Sequence, residues 1–514
     1  MSKVLLDGEN LTIEQVVEVA RNGVEVELSP AARARVEASR AVVENMLRER
    51  KPVYGVTTGF GALSGTRISP EDAVELQRNL IRSHSAGVGR SSDTETVRAM
   101  MLLRANTLAK GYSGIRLETL ETLIEMVNRR VHPLVPEKGS VGASGDLAPL
   151  AHMTAVLMGE GAAEHKGIAV AGGEAMRRAG LKPVELTAKE GLALINGTQF
   201  STAIAVITLY DSERLIANAE IAGAMTLESL HGHLESLDER LHAARPHQGQ
   251  ITTARNLKKL LSSSQMVSES LPREGKGIHD SYSIRCMPQV AGAARDALTH
   301  VRKVLLTEIN SATDNPLVFA SDGVCISGGN FHGQPIAISS DILGIALASI
   351  GNISERRIAR LMNPVTNEGL TAFLIPRSSR EGLNSGFMMT QTVAASLASE
   401  NKVLSHPASV DSLPTSADFE DFVSMSASAA TKAREILGNV ERIVAVEFLC
   451  ASQAFDLRGA DKLGKGTRIA YERIRSKVPK LTRDREMSPD IATVVSMIRS
   501  GEILNAVESS VGTL

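Results

Sequence analysis

The sequence predicts an all-α protein, a long-helix bundle carrying a loop-rich amino-terminal head. Three observations lead there. Segments 202–241, 290–310, 336–361 and 424–457 run without proline and repeat apolar residues at helical spacing. Alanine, leucine, glutamate and arginine, all good helix formers, fill those segments. Runs with strand character are short, and a piece such as 167–170 suffices only for a small strand or hairpin.

Before about residue 200 the elements shorten and glycine and proline become denser, which sets a soft boundary between a 1–200 head and a 201–514 bundle. No low-complexity linker or internal repeat marks the join. Helices this long need neighbours on more than one side, so assembly through helix packing is expected.

Composition narrows the function. With 43% hydrophobic residues in 514, the chain can bury a large core. A formal net charge of -2, with both signs spread along the chain, argues against a nucleic-acid footprint or a membrane-surface patch. The opening MSKVLLDGENLTIEQVVEVA breaks its apolar run at Asp7, Glu9 and Asn10, so no signal-peptide core is expected. No unbroken apolar stretch reaches membrane-spanning length. Cys286, Cys325 and Cys450 are far apart, odd in number and not in metal-ligand pairs, which suits a reducing cytoplasm.

Three segments carry chemistry. In the run GSVGASGD at 139–146, Ala143-Ser144-Gly145 has the composition of an electrophile made from backbone. The amide nitrogen of Gly145 must reach the carbonyl carbon of Ala143, which needs a kinked turn nearly free of side chains. Closing that ring and losing two waters, one of them from the Ser144 hydroxyl, leaves a methylidene-imidazolone. Ordinary side chains seldom offer an electrophile. The competing readings are a plain Gly/Ser loop between apolar segments and a phosphate-binding loop, and the latter lacks the lysine that should follow the last glycine.

The second segment, YGVTTGFG at 54–61, sets Tyr54 among glycines in a chain with five tyrosines and no tryptophan. It reads as a mobile loop bringing a phenol over a site, or as a surface turn with an aromatic anchor. In the third, HDSYSIR at 279–285, Tyr282 and Arg285 stand three apart and would share one helical face. A guanidinium pairs both oxygens of a carboxylate, though a structural ion pair is equally compatible. His231, His233, His242 and His247 cluster in sequence, but positions two apart leave a helix on different faces and no HExxH completes a zinc site. No metal is expected.

The motifs YGVTTGFG, NLIRSHSAGVG, GSVGASGDLAPLAH, GLALINGT, SYSIRCMPQV, TDNPLVF, GGNFHGQP and HPASVDSLP occur in that order from 54 to 414. Together the chain resembles the aromatic amino acid ammonia-lyase family over nearly its whole length. The resemblance implies an ammonia-lyase/fumarase-like helical architecture, a cytoplasmic homotetramer, and a methylidene-imidazolone formed from Ala143-Ser144-Gly145 without external cofactor. It implies elimination of ammonia from histidine, phenylalanine or tyrosine, or in related enzymes a shift of the amino group. Matched by motif, Tyr54 is the base, a role requiring a phenol pKa well below the usual value of about 10. Arg285 holds the substrate carboxylate, Tyr282 and Asn196 bracket the electrophile and amine, Phe331 lines the pocket, and Asp146 supports ring closure.

Two positions bear on the ring that is bound. Ser83-His84 stands where histidine-specific members carry the same pair, which some tyrosine-processing relatives share. Glu420 falls where histidine members carry glutamate and phenylalanine or tyrosine members glutamine. A carboxylate accepts an imidazole N–H; a benzene ring offers it nothing. The family's usual Asn-Gln-Glu-Asp-His is here Asp418, Phe419, Glu420, Asp421 and Phe422, and His279 replaces a common glutamine. Phe419 and Phe422 would dry the surroundings of Glu420 and weaken it as an acceptor. The expected reaction is conversion of L-histidine to trans-urocanate and ammonia, the first step of histidine catabolism. The alternatives are a phenylalanine or tyrosine ammonia-lyase, an aminomutase using the same electrophile, and a non-catalytic helical assembly protein.

Overall fold

Four long helices lie where helical periodicity places them. The expected 290–310, 336–361 and 424–457 correspond to helices Met287–Glu308, Gln334–Met362 and Ser426–Arg458. The expected 202–241 begins as the helix Gln199–Ser229 but ends early. His231 adopts φ 51°, and Gly232 N closes the end on Leu227 O at 2.9 Å. A separate helix, Glu239–Ala243, then starts where Asp238 accepts from Arg240 N. The computed structural model describes residues 3–50, 53–55, 57–59, 61, 65–69, 72–267, 279–377 and 382–514.

Strands are short and form four small sheets among the described residues. The 167–170 piece is one of them: Ile168–Ala171 pairs antiparallel with Ala162–His165, which also pairs with Val131–Pro133.

The chain forms two compact units, and both are discontinuous, unlike the expected division into 1–200 and 201–514. The first comprises Met1–Tyr210, Arg302–Asp341 and Pro407–Thr431; the second comprises Asp211–Val301, Ile342–His406 and Lys432–Leu514. Composition along the chain cannot show that the two later segments return to the head. They do so by main-chain and amide bonds: Asn106 Nδ2 to Ile309 O at 2.8 Å, Val318 N to Tyr112 O at 2.8 Å, and Met425 N to Val141 O at 2.8 Å.

At the centre of the first unit lies the helix Thr94–Ala109, buried on every side from Thr96 onward, Arg98 and Arg104 included. Arg98 spends its guanidinium on the carbonyls of Val19, Ala20 and Val127. In the second unit the fully buried Glu447 accepts from Arg357, from Ser354 Oγ and, at 2.8 Å, from Thr226 Oγ1. That carboxylate has the satisfied partners a buried charge requires.

The helix Gln334–Met362 has the length and mean apolarity of a membrane span, although serine and aspartate interrupt its apolar run. Of that apolar window, 67% is buried inside the protein, the pattern of a core helix.

Candidate active site

The 139–146 run forms a turn that only small residues permit. Gly142 and Gly145 have φ of 66° and 70°. A Cβ at Gly142 would meet Ser424 Oγ at 2.2 Å, and one at Gly145 would meet Gly197 O at 2.2 Å. Gly145 lies flat against the Gly197 backbone, and Asp146 N donates to Gly197 O at 2.7 Å. Ala143 packs into a small apolar cluster with Val423 and Met425, while Ser144 stays half-buried.

Asp146 begins the helix Leu147–Leu157 and is fully buried. Its carboxylate accepts from Ser140 Oγ at 2.7 Å and from Ser201 N and Oγ, both at 2.8 Å. Burial pushes its pKa above the usual carboxylate value, and the hydrogen bonds from Ser201 and Ser140 oppose the shift. The acid therefore ties the 139–146 turn to the start of the helix Gln199–Ser229.

Ser144 Oγ donates to Glu420 Oε1 across 276 positions of sequence. Glu420 Oε2 accepts from Thr415 Oγ1 at 2.7 Å and from Ser416 Oγ at 3.1 Å. The backbone enforces this: Thr415 and Glu420 pair as an isolated bridge, and Ser416, Ala417 and Asp418 between them all have positive φ. Three hydroxyls thus aim one carboxylate. His84 ends the helix Ala73–His84, and its Nδ1 donates to Leu80 O at 2.9 Å, leaving Nε2 as the acceptor of the neutral ring. Burial holds the His84 pKa below 6.5, opposed by the Leu80 hydrogen bond and the Glu420 charge.

Phe419 and Phe422 are 57% and 60% exposed, so within this chain they do not enclose Glu420 as expected. Phe422 stacks on His332 instead, with ring centroids 5.9 Å apart.

The other expected residues fall as follows. Asn196 caps the helix Glu190–Ile195; its side chain is buried, and Oδ1 has no hydrogen-bond partner among the described residues. Tyr54 is half-buried in a turn, its Oη accepting from Gly61 N at 3.2 Å. Phe331 is half-buried, and its neighbours Asn330 and His332 line a cavity of about 480 Å³ with Glu308 and Thr313. All of these belong to the first unit. Tyr282 and Arg285 belong to the second, on the one-turn helix Tyr282–Arg285. There the Arg285 guanidinium lies 4.7 Å from the Tyr282 ring centroid, and its buried Nε has no partner among the described residues.

The histidine cluster disperses. His231 Nδ1 pairs with Met266 O, His233 with Asp280, and His242 with Gln250.

Sequence reasoning passed over Gly197, Thr415 and Ser416. Gly197 stands inside the GLALINGT motif beside Asn196, so its signal was present; the two hydroxyl residues look like any polar turn.

A family model described as aromatic amino acid lyase matches residues 11–476. The chain belongs to the aromatic amino acid lyase family. A protein of Alkaliphilus oremlandii named histidine ammonia-lyase is 54% identical to this lyase over 99% of both chains. Among solved structures, the tyrosine aminomutase of Streptomyces globisporus is 39% identical with a TM-score of 0.95, covering 99% of each chain. The histidine ammonia-lyase of Trypanosoma cruzi is 42% identical with a TM-score of 0.91, covering 99% of this chain and 95% of that one.

Proposed function

We propose that this lyase eliminates ammonia from L-histidine to give trans-urocanate, the first step of histidine catabolism. The observation that carries the reading is the Glu420 carboxylate, held by Thr415 and Ser416 beside the Ser144 hydroxyl and within electrostatic reach of His84. A neutral imidazole substrate presents an N–H that such a carboxylate accepts. Full-length identity of 54% to a histidine ammonia-lyase supports the same reading.

The reading includes a methylidene-imidazolone made from Ala143, Ser144 and Gly145. The residues fit: the turn has no Cβ at Gly142 or Gly145, and the Ser144 hydroxyl that would leave is half-buried rather than enclosed. That group supplies an electrophilic carbon to the substrate amine. By motif, Arg285 takes the substrate carboxylate with its planar fork, and its buried Nε, without a partner among the described residues, suits that task. Asn196 Oδ1, buried and without a partner among the described residues, accepts from the amine. Tyr54 removes the β-proton, Tyr282 steadies the electrophile and amine, Phe331 lines the pocket, and Asp146 supports ring closure. The assembly is a cytoplasmic homotetramer. Exposed apolar side chains on long helices, Ile338 and Ile345 on Gln334–Met362 and Met389 and Val403 on Met388–Leu404, support helix-mediated association.

Purified enzyme given L-histidine, L-phenylalanine and L-tyrosine separately tests the substrate, read by ultraviolet absorbance of the conjugated acid and by free ammonia. Urocanate with ammonia is the expected result. Cinnamate or coumarate as the main product overturns the assignment, and amine shifted without free ammonia identifies an aminomutase, the activity named for the Streptomyces globisporus structure.

His84 gives the site a pH dependence. Because burial lowers its pKa below 6.5, it is neutral at pH 7 and takes a proton only on further acidification. The new cation then pairs with Glu420 and competes for the carboxylate that receives the substrate ring. Turnover of L-histidine is expected to fall as pH drops below 6.5, with that part of the decline removed in His84→Gln. Stability moves in the same direction: the unfolded chain binds the proton first, so stability is lost as pH falls from 6.5 toward the lower folded value. Unfolding midpoints of the two proteins, compared from about pH 7.5 to about pH 5, should diverge in that window; parallel curves exclude His84.

A further inference from the structure

The Thr94–Ala109 helix carries a charge with no part in the mechanism above. Arg104 is completely buried, and burial pushes its pKa down to about 10. Burying a guanidinium among apolar neighbours is costly unless its donors are taken, and a methionine or leucine would fill the same space more cheaply. Its partners show what the charge does. Nη1 donates to Asn196 O and to Gln199 Oε1, both at 2.9 Å, and Nη2 donates to Ala193 O. Arg104 thereby grips the carbonyl end of the helix Glu190–Ile195 and the chain leaving it.

Gly197 lies inside that grip. A Cβ there would meet Arg104 Nη1, Gln199 Oε1 and Thr313 O, each at 2.5 Å. Gln199 is itself held by Thr107 Oγ1 at 3.1 Å and Thr313 Oγ1 at 2.6 Å. The other side of Gly197 is the surface against which Gly145 lies flat, and its carbonyl fixes Asp146 N. One rigid path therefore runs from Arg104 through Gly197 to the residue whose nitrogen must close the ring.

We infer that Arg104 is a positioning residue for the self-cyclisation of Ala143-Ser144-Gly145, acting by clamping Gly197 against Gly145. The inference rests on the ring proposed above. In the closing step a bond forms between Gly145 N and Ala143 C. The Ala143 carbonyl oxygen leaves as water with the amide hydrogens of Gly145 and Ser144. A second water takes the Ser144 hydroxyl and its Cα hydrogen. No oxidant is needed. What the step needs is an amide nitrogen pressed toward a carbonyl carbon, and a backbone abutment that cannot yield supplies it.

The test is cell-free synthesis of the full chain, with samples quenched at intervals and weighed intact. The native chain is expected to lose two waters. Arg104→Lys keeps the charge but loses the planar fork that reaches three acceptors, and it should lose the waters at least tenfold more slowly while unfolding cooperatively. Gln199→Leu leaves Arg104 in place and removes one acceptor, so it should slow the loss by a smaller factor. It carries the test where the lysine variant does not fold. Folded variants that dehydrate at the native rate overturn the inference. A native chain that keeps its encoded mass overturns the ring itself.

Discussion

Ser144→Ala is expected to keep its encoded mass and to lose at least about 10³-fold in turnover of L-histidine, on the order of 4 kcal/mol of barrier. Alanine has no hydroxyl to shed, so the exposed electrophilic carbon cannot form. The loss should appear in kcat, because the proposed substrate ligands Arg285, Asn196 and Glu420 are unchanged. Stability should barely change. Ser144 is half-buried, and in its absence Glu420 keeps the Thr415 and Ser416 hydroxyls. The hydrogen bond from the Ser144 hydroxyl is absent from the dehydrated native enzyme as well, so it does not set the two proteins apart. Intact mass, a progress curve with L-histidine and one thermal melt decide the matter together. A Ser144→Ala enzyme at native turnover removes the backbone electrophile from the mechanism.

How much of this was legible in the sequence depends on the range over which each feature is encoded. The long helices were legible because apolar spacing is a local signal, and three of the four end within a few residues of the periodic pattern. The break after Ser229 was not, since Leu230, Leu234, Leu237 and Leu241 continue apolar character through a stretch where His231 turns left-handed. Ala143-Ser144-Gly145 stands out in the sequence because the chemistry proposed for it lies in three consecutive residues. Its partner Glu420 lies 276 positions away and was found only by motif register. Thr415 and Ser416 gave no signal, as nothing local distinguishes a hydroxyl that aims a carboxylate from one that faces water. Arg104 did leave a trace. The run AMMLLRANTLA has no polar stripe, so an arginine within it has no solvent face to occupy.

Glu420→Gln separates the proposed reader of the substrate ring from the proposed electrophile. This variant is expected to shed two waters like the native chain, yet to turn over L-histidine roughly 10²- to 10³-fold more slowly, because discrimination built on a hydrogen bond collapses when the acceptor is replaced. The substitution preserves shape and removes charge. An amide offers one oxygen where the carboxylate offers two, and its NH2 confronts the imidazole N–H or the pair of hydroxyls from Thr415 and Ser416. Phenylalanine needs no acceptor at that point, so the ratio of phenylalanine to histidine turnover should rise. Phe419 and Phe422 are exposed, and Glu420 is the side chain of this loop that hydrogen-bonds Ser144. Parallel assays on the two substrates, with intact mass as the control for ring formation, read both effects. If histidine turnover survives the change in a fully dehydrated enzyme, Glu420 is not the reader of the imidazole, and His84, whose Nε2 is an acceptor in the neutral ring, becomes the next candidate.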